Sequence, residues 1–321
     1  MSTVLDRLPA LATTGVGSLP FDDRRAAVRH ATRAYGIPFC PQLPRHDGDM
    51  VREWLGAEWS AAPCGWTTER DRERPAAWDA FVAAVADRAP EHRVVKLQAT
   101  GPVTLAVAME RAAGRPGVGA DVIGLATEIA GWLASNVAGQ VARMRDLDLD
   151  LDVLLLVDEP GLAHAAIGGG DVWDPLRGAA AAWGLHVCSS VPWGLVRDAA
   201  PDVLSFDATR YPVDPEGAAV LADLVDGGGR IAWGAVDPVR PDTEAAVAAR
   251  LAACIGAVSA AGPSVRTLVE HSLVTPSCGT GRLGADRERL LACVVDAAAE
   301  DARRSWRSWP RPESAAARAR G

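Results

Sequence analysis

His186 and Cys188, in the stretch GLHVCSS, are separated by one residue, so an extended chain points both side chains to the same side. By itself the pair fits an ordinary buried strand as well as half of a metal site. Cys278, in TPSCGTG, closes another apolar run far along the chain. An imidazole with two thiolates is a nitrogen and sulfur set that favours zinc over magnesium or calcium. Asp207, in SFDAT, can add a fourth, oxygen ligand. Structural zinc sites bring cysteines in close pairs, whereas ligands this far apart in sequence suit a catalytic zinc with a displaceable position. The competing reading leaves His186 and Cys188 as strand residues satisfied by the backbone, with Cys278 a turn thiol.

Two further groups have chemistry. Asp158, Glu159 and Pro160 follow an apolar run, so two carboxylates stand at a strand end where the proline stops the ladder. One can hold a substrate ammonium while the other caps the following turn. Ser18 and the backbone of Val16 and Gly17 can bind a carboxylate, since glycine permits close approach. Asp237 closes the run GRIAWGAVDP, and Gln42, Gln98, Thr100 and Ser277 close others. His271, in VEHSLV, reads as a strand histidine, and His164 as a residue that reaches the same mouth or starts a surface helix. His30, His46 and His92 carry no local signal. Cys254 and Cys293 read as buried thiols on apolar helix faces, and Cys64 has no visible partner.

These residues need strands to hold their tips together. Eight Val, Ile and Leu-rich runs recur: ATTGVGSLP, GIPFCPQLP, VVKLQATGP, DVLLLVDEP, GLHVCSS, DVLSFDAT, GRIAWGAVDP and TLVEHSLVTP. Helical stretches lie between them, at Asp22 to Tyr35, Val122 to Arg145, Gly217 to Asp226, Thr243 to Ala260 and Asp286 to Ala302. Alternating β and α segments predict a parallel sheet, and eight repeats predict a single (β/α)8 barrel over residues 1–308, followed by a flexible basic tail at 309–321. In such a barrel all strand C-termini face one mouth. An open dinucleotide-binding sheet is excluded, because TTGVGSLP lacks the third glycine of the fingerprint. The Gly-rich DGGGR and IGGGD read as loop punctuation.

With 49% hydrophobic and 23% charged residues the chain is a globular one, not a disordered one. A net charge of −8 argues against a nucleic-acid partner. No run of about 18 apolar residues suggests a membrane span, and MSTVLDRLPALATTG has no secretory pattern, so the expected location is cytoplasmic.

Taken in order, TGVGSLP, KLQATGPVTLA, VDEPGLA, HVC, SFDA and PSCGTG resemble the C-terminal catalytic barrel of cobalamin-independent methionine synthase, within the superfamily that includes uroporphyrinogen decarboxylase. The resemblance runs from Thr13 to Arg303 and fits short, single-barrel members. It implies a zinc-dependent methyltransferase that methylates the thiol of homocysteine to form methionine, with a folate or a corrinoid protein as methyl donor. It implies His186, Cys188 and Cys278 as zinc ligands, with Asp207 where the family has glutamate. Val16, Gly17 and Ser18 match the loop that holds the amino-acid carboxylate, and Asp158 matches the acid that holds its ammonium.

Beyond Asp207, the chain departs from the family at three further places. LAVAMER has no tryptophan for a folate ring, with Ala108 near that position. Asp237 stands where a catalytic histidine is expected, and PQLPRHDGDM offers no second acid for the amino group. Other readings are alkyl transfer to a coenzyme-M-like thiol, a decarboxylase without zinc, for which only Arg24 and Arg25 stand near the first strand, and a noncatalytic thiol-binding protein.

Overall fold

The computed structural model describes residues 4–57, 59–60, 75–165, 168–240 and 242–309. Cys64 and residues 310–321 of the expected tail lie outside them. Seven parallel strands form one curled sheet: β1 (Ala12–Thr13), β2 (Val94–Thr100), β3 (Asp152–Asp158), β4 (Ala182–Val187), β5 (Val203–Asp207), β6 (Arg230–Val236) and β7 (Ser272–Pro276), in the order β1-β7-β6-β5-β4-β3-β2. Every described residue of these strands is buried except Asp152 at the start of β3. Burial on both faces explains why the runs read as continuously apolar.

Seven strands, not eight, are formed, and six ladders join them. The expected second strand, Ile37 to Leu43, pairs only through isolated bridges, Phe39 with Lys96 and Ser18 with Gln42. It nevertheless bonds to both edge strands. Ile37 N donates to Thr13 O at 2.8 Å and Gln42 N to Gly17 O at 3.1 Å, while Cys40 N donates to Lys96 O at 3.1 Å and Lys96 N to Pro38 O at 2.8 Å. Pro38 and Pro41 have no N–H to give, which interrupts a regular ladder.

Eleven α-helices are seen among the described residues: α1 (Arg24–Arg33), α2 (Pro44–Asp47), α3 (Met50–Leu55), α4 (Trp78–Asp87), α5 (Pro102–Ala112), α6 (Ala120–Arg145), α7 (Trp193–Ala199), α8 (Pro215–Asp226), α9 (Glu244–Ser259), α10 (Val265–Glu270) and α11 (Ala285–Ser305). Side-chain caps start several of them. Asp23, Asp49, Asp214, Thr243 and Ser264 each accept an N–H of the first turn. Among the described residues only α6, over Val122–Arg145, is long and apolar enough to cross a membrane, and one face of it, with Val122, Ala126, Ile129, Leu133, Val137, Val141 and Met144, is buried in the main core.

Two expectations fail. TLVEHSLVTP is not all strand, because its first half is α10 and only Ser272–Pro276 is β7. His271 is the C-cap of α10, and its Nδ1 lies 2.8 Å from Gly229 O. Cys293 is exposed on α11, not buried, whereas Cys254 is buried as expected.

The strands divide their side chains between two cores by their period of two. Val153, Leu155 and Val157 of β3 join the large layer under the helices. Leu154 and Leu156 turn to the inside of the curl, where they meet Val94, Ala182, Val203, Ala232 and Leu273, and where Val4, Leu5 and Leu8 seal the end from which the strands start. The inner face is therefore apolar at the start of the strands. By the same alternation it carries Asp158, His186, Ser205, Asp207, Thr275 and Ser277 toward their ends.

Candidate active site

Cross-strand register brings the inner-face polar residues together. Asp158 is opposite His186, His186 opposite Ser205, and Asp207 opposite Gly234. The narrow interior space at this level is lined by Thr14, Lys96, Asp158, His186, Ser205 and Thr275. A larger cavity, about 660 Å³, lies elsewhere, between the outer helices α4 and α6. It carries none of the residues singled out by their chemistry.

His186 is 3% exposed, its Nδ1 lies 2.8 Å from Ser205 Oγ, and its Nε2 is buried with no hydrogen-bond partner. Burial, helped by the Lys96 charge, pushes its pKa down to about 3, so the ring is neutral and offers a lone pair. Cys188 and Cys278 act on each other's ionisation. Their interaction and burial push the Cys188 pKa up. The same interaction pulls Cys278 down to about 7, aided by the Gly279 N–H and Arg210 and opposed by burial and Asp207. The result is one neutral thiol and one with thiolate character at an exposed turn.

Asp158 is 4% exposed, and its Oδ1 has no partner. Burial raises its pKa to about 8, with Lys96 pulling the other way and Cys278, Glu53 and Glu159 adding to the rise. Glu159 does something else. Its carboxylate accepts from Val103 N at 3.1 Å, Thr104 N at 2.8 Å, Thr104 Oγ1 at 2.6 Å and Trp173 Nε1 at 2.9 Å. It caps the N-terminus of α5 from a neighbouring strand, and not the turn that follows it.

The carboxylates on the other side of the mouth are engaged by their own loops. Asp207 Oδ1 accepts from Thr209 N at 2.8 Å, Thr209 Oγ1 at 2.6 Å and Arg210 N at 3.2 Å, and Oδ2 lies 3.8 Å from Arg210 Nε. Asp237 repeats the pattern, with Oδ1 accepting from Val239 N at 2.8 Å and Arg240 N at 3.1 Å and Oδ2 from Arg240 Nε at 3.0 Å. Its pKa is lowered because these backbone and guanidinium donors outweigh its burial.

The loop Val16 to Ser18 has its carbonyls occupied and its amides open. Val16 O accepts from Lys96 Nζ at 2.7 Å, Gly17 O from Gln42 N at 3.1 Å, and Ser18 O from Thr280 N and Oγ1, each at 3.0 Å. The N–H groups of Gly17 and Ser18 bond to no described residue. A Cβ on Gly17 would stand 2.9 Å from Gln42 Oε1 and 3.0 Å from Gln98 Cγ, so any larger residue there would displace these two glutamines. One on Gly279 would stand 2.1 Å from Ser18 Oγ, which shows how tightly the turn that holds Cys278 docks on this loop.

Sequence reasoning missed two residues. Lys96 on β2 is 1% exposed and donates to Val16 O and, at 2.9 Å, to Gln98 Oε1. Burial lowers its pKa to about 8 against the pull of Asp158. The alternation Val94, Lys96, Gln98, Thr100 puts it on the inner face, the signal that could have found it. Glu53, on α3, accepts from Gln42 Nε2 at 2.8 Å and acts electrostatically on Asp158, so a second acid does stand near it. Arg24 and Arg25 are exposed on α1 and do not enter the mouth. His30 and Tyr35 both bond Glu288, and His46 Nε2 lies 2.7 Å from Asp22 O. These are structural contacts away from the strand tips.

As donors, His186, Cys188 and Cys278 fit zinc, with a buried unpaired imidazole nitrogen and two interacting thiols. Among the described residues, however, no group of three or more His, Cys, Asp or Glu side chains stands close enough to hold a metal ion. Asp207 in particular is turned to its own loop.

No protein-family model matches the chain, and neither does any curated protein. Solved structures do. A B12-independent methionine synthase from Shewanella sp. W3-18-1, in complex with selenomethionine, is 14% identical with a TM-score of 0.60, over 94% of this chain and 100% of that one. A methyltransferase from Methanosarcina mazei is 12% identical with a TM-score of 0.52, over 92% of this chain and 96% of that one. The likeness establishes a shared fold.

Proposed function

We propose that the protein is a methyltransferase that moves a methyl group to the thiol of homocysteine and forms methionine, with a zinc ion held by His186, Cys188 and Cys278. The observation that carries this reading is the unpaired, buried Nε2 of His186 on the inner face that also leads to Cys188 and Cys278, two thiols that shift each other's ionisation. The fold shared with a methionine synthase supports it. In this reading the Ile37 to Leu43 segment completes an eight-stranded barrel.

Zinc, when bound, would lower the pKa of the acceptor thiol and keep it as a thiolate at neutral pH. The protein's own groups do the rest. Ser205 fixes the His186 ring by its Nδ1 and so aims Nε2 at the mouth. The open amides of Gly17 and Ser18 take the acceptor's carboxylate, and Asp158, backed by Glu53, takes its ammonium. Held at three points, the acceptor presents its sulfur in one orientation. The sulfur's electron pair then forms the bond to the methyl carbon, the bond from methyl to donor breaks, and that pair leaves with the donor. The thiol proton has already gone to solvent. Asp237, which stands where a catalytic histidine is expected, would serve in this reading as the anchor of its loop, since both oxygens are bonded and its pKa is lowered. The donor is a folate or a corrinoid protein.

Zinc K-edge absorption on anaerobically purified protein tests this. A shell with two sulfurs should gain a third on adding L-homocysteine. A shell that ignores homocysteine but gains sulfur from 2-mercaptoethanesulfonate assigns the acceptor to the coenzyme-M class. Protein that holds no zinc refutes the reading.

A further inference from the structure

Lys96 is the single lysine among 33 basic residues, and it lies inside the curl of the sheet. Burying an ammonium costs several kcal/mol unless good partners surround it. The partners here are not core groups. Nζ donates to Val16 O at 2.7 Å and to Gln98 Oε1 at 2.9 Å, and it lies 5.1 Å from the centre of the Phe39 ring. Gln98 Nε2 in turn donates to Cys40 O. One ammonium thus joins the end of the first strand, the Ile37 to Leu43 segment and β2. A compact ammonium can converge on such acceptors, where the longer planar fork of arginine cannot.

The bond to Val16 has a consequence for the next amide. No described peptide is cis, and across a trans peptide the C=O and N–H point in opposite directions. With Val16 O held toward Lys96, the N–H of Gly17 is turned away from it, and that N–H bonds to no described residue. Gly17 is buried, so an N–H left without a partner there is costly unless a ligand completes it.

We propose that Lys96 is a positioning residue that, by holding the Val16 carbonyl, aims the Gly17 N–H at the carboxylate of the bound acceptor. The inference rests on the reading that the acceptor is an amino-acid thiol, and it names the residue that makes the site select for the carboxylate.

The test compares two probes by calorimetry on the purified protein: L-homocysteine, and 3-aminopropane-1-thiol, which keeps the thiol and the amine but lacks the carboxylate. In Lys96→Met, homocysteine should bind at least ~10-fold more weakly, the size of one lost charge-assisted hydrogen bond, while the amine thiol binds as it does to the parent. Hydrogen exchange should show faster exchange at Leu19, Cys40 and Gln42, whose amides lie along the seam. Equal weakening of both probes would reduce Lys96 to a structural role, and unchanged homocysteine binding would remove it altogether. Either result overturns the proposal while leaving the homocysteine reading intact. A parent protein that binds neither probe overturns the reading itself. If Lys96→Met does not fold, Lys96→Arg keeps the charge without the geometry and should show the same selective loss.

Discussion

Asp158 and Asp207 close strands on the same inner face, and each is 4% exposed. Their surroundings are opposite. Asp207 Oδ1 takes three hydrogen bonds from its own turn, and Asp237, just past the next strand, takes two on Oδ1 and the Arg240 guanidinium on Oδ2. Asp158 Oδ1 takes none, and neither does Nε2 of its cross-strand neighbour His186. A buried polar atom without a partner forfeits about 1–3 kcal/mol, so two of them side by side mark a place where the fold gives up stability. The saturated tips of β5 and β6 shape loops; the tips of β3 and β4 leave Asp158 Oδ1 and His186 Nε2 without hydrogen bonds, which is why the proposed site is placed there. Burial alone does not tell the two apart, but hydrogen-bond satisfaction does.

The largest test of this contrast is His186. In His186→Gln we expect methyl transfer and bound zinc to fall by more than about 100-fold, beyond the range for loss of an outer partner. Ser205→Ala, which frees the ring without removing it, should cost about 10–100-fold in zinc affinity. Metal analysis after dialysis against a graded chelator measures both. If His186→Gln retains its zinc, the open tip is not a ligand.

Asp158→Asn comes next. If its carboxylate receives an ammonium, the amide should weaken L-homocysteine binding by ~10-fold or more, as expected for a hydrogen bond between charged groups, and leave propane-1-thiol untouched. Competition binding with the two thiols measures this. A parallel loss for both would assign Asp158 to the architecture, on the same footing as Asp207.

The contrast also has a pH signature. The His186 pKa is pushed from 6.5 to about 3 in the native protein. Between those values the unfolded chain binds a proton that the native state does not, so stability rises with pH across this window and falls on acidification. The slope contributed by this one group approaches about 1.4 kcal/mol per pH unit. It vanishes above 6.5, where the ring is neutral in both states. Denaturant midpoints of metal-free protein at pH 7, 6 and 5 should therefore drop more steeply for the parent than for His186→Gln. Parallel slopes would mean that the ring is not desolvated.

Much of this arrangement is legible in the sequence. The runs that end in Asp158, Asp207 and Val236 are strands because their Val, Leu and Ile are buried on both faces, and the inner-face positions of Asp158 and Asp207 follow from a period of two, whereas β6 breaks its register after Gly234 and sends Val236 to the outer core. Helices α6, α8, α9 and α11 fall within a few residues of their expected bounds. What escaped has physical causes. Val265, Thr267 and Val269 alternate as a strand would, yet Ser264 caps them into a helix that packs on α9. Ile37 to Leu43 reads as a strand, but its two prolines reduce it to bridges. Lys96 was hidden as one charge in an apolar run, and Glu53 because it reaches the mouth from a helix. Whether a carboxylate is free or bound by its own turn depends on loop geometry that residue types do not encode, which is why Asp158, Asp207 and Asp237 looked alike.

The smallest effect belongs to Asp237. Asparagine in its place keeps one oxygen to accept the N–H groups of Val239 and Arg240, and it loses only the pair with the Arg240 guanidinium, which is largely exposed. A pair of that kind contributes about 0–1 kcal/mol, so Asp237→Asn should shift the denaturant midpoint little. Methyl transfer should stay within about 3-fold of the parent, since an equivalent energy of 0.65 kcal/mol is of that small size. The measurement that matters is the rate as a function of pH. A group that carries a proton in the reaction leaves a missing limb in the profile when it is replaced by an amide. An unchanged profile confirms that β6 ends in an anchor. A 100-fold loss with one limb gone would return Asp237 to catalysis, and would show that a carboxylate bonded through both oxygens can still take part in the chemistry.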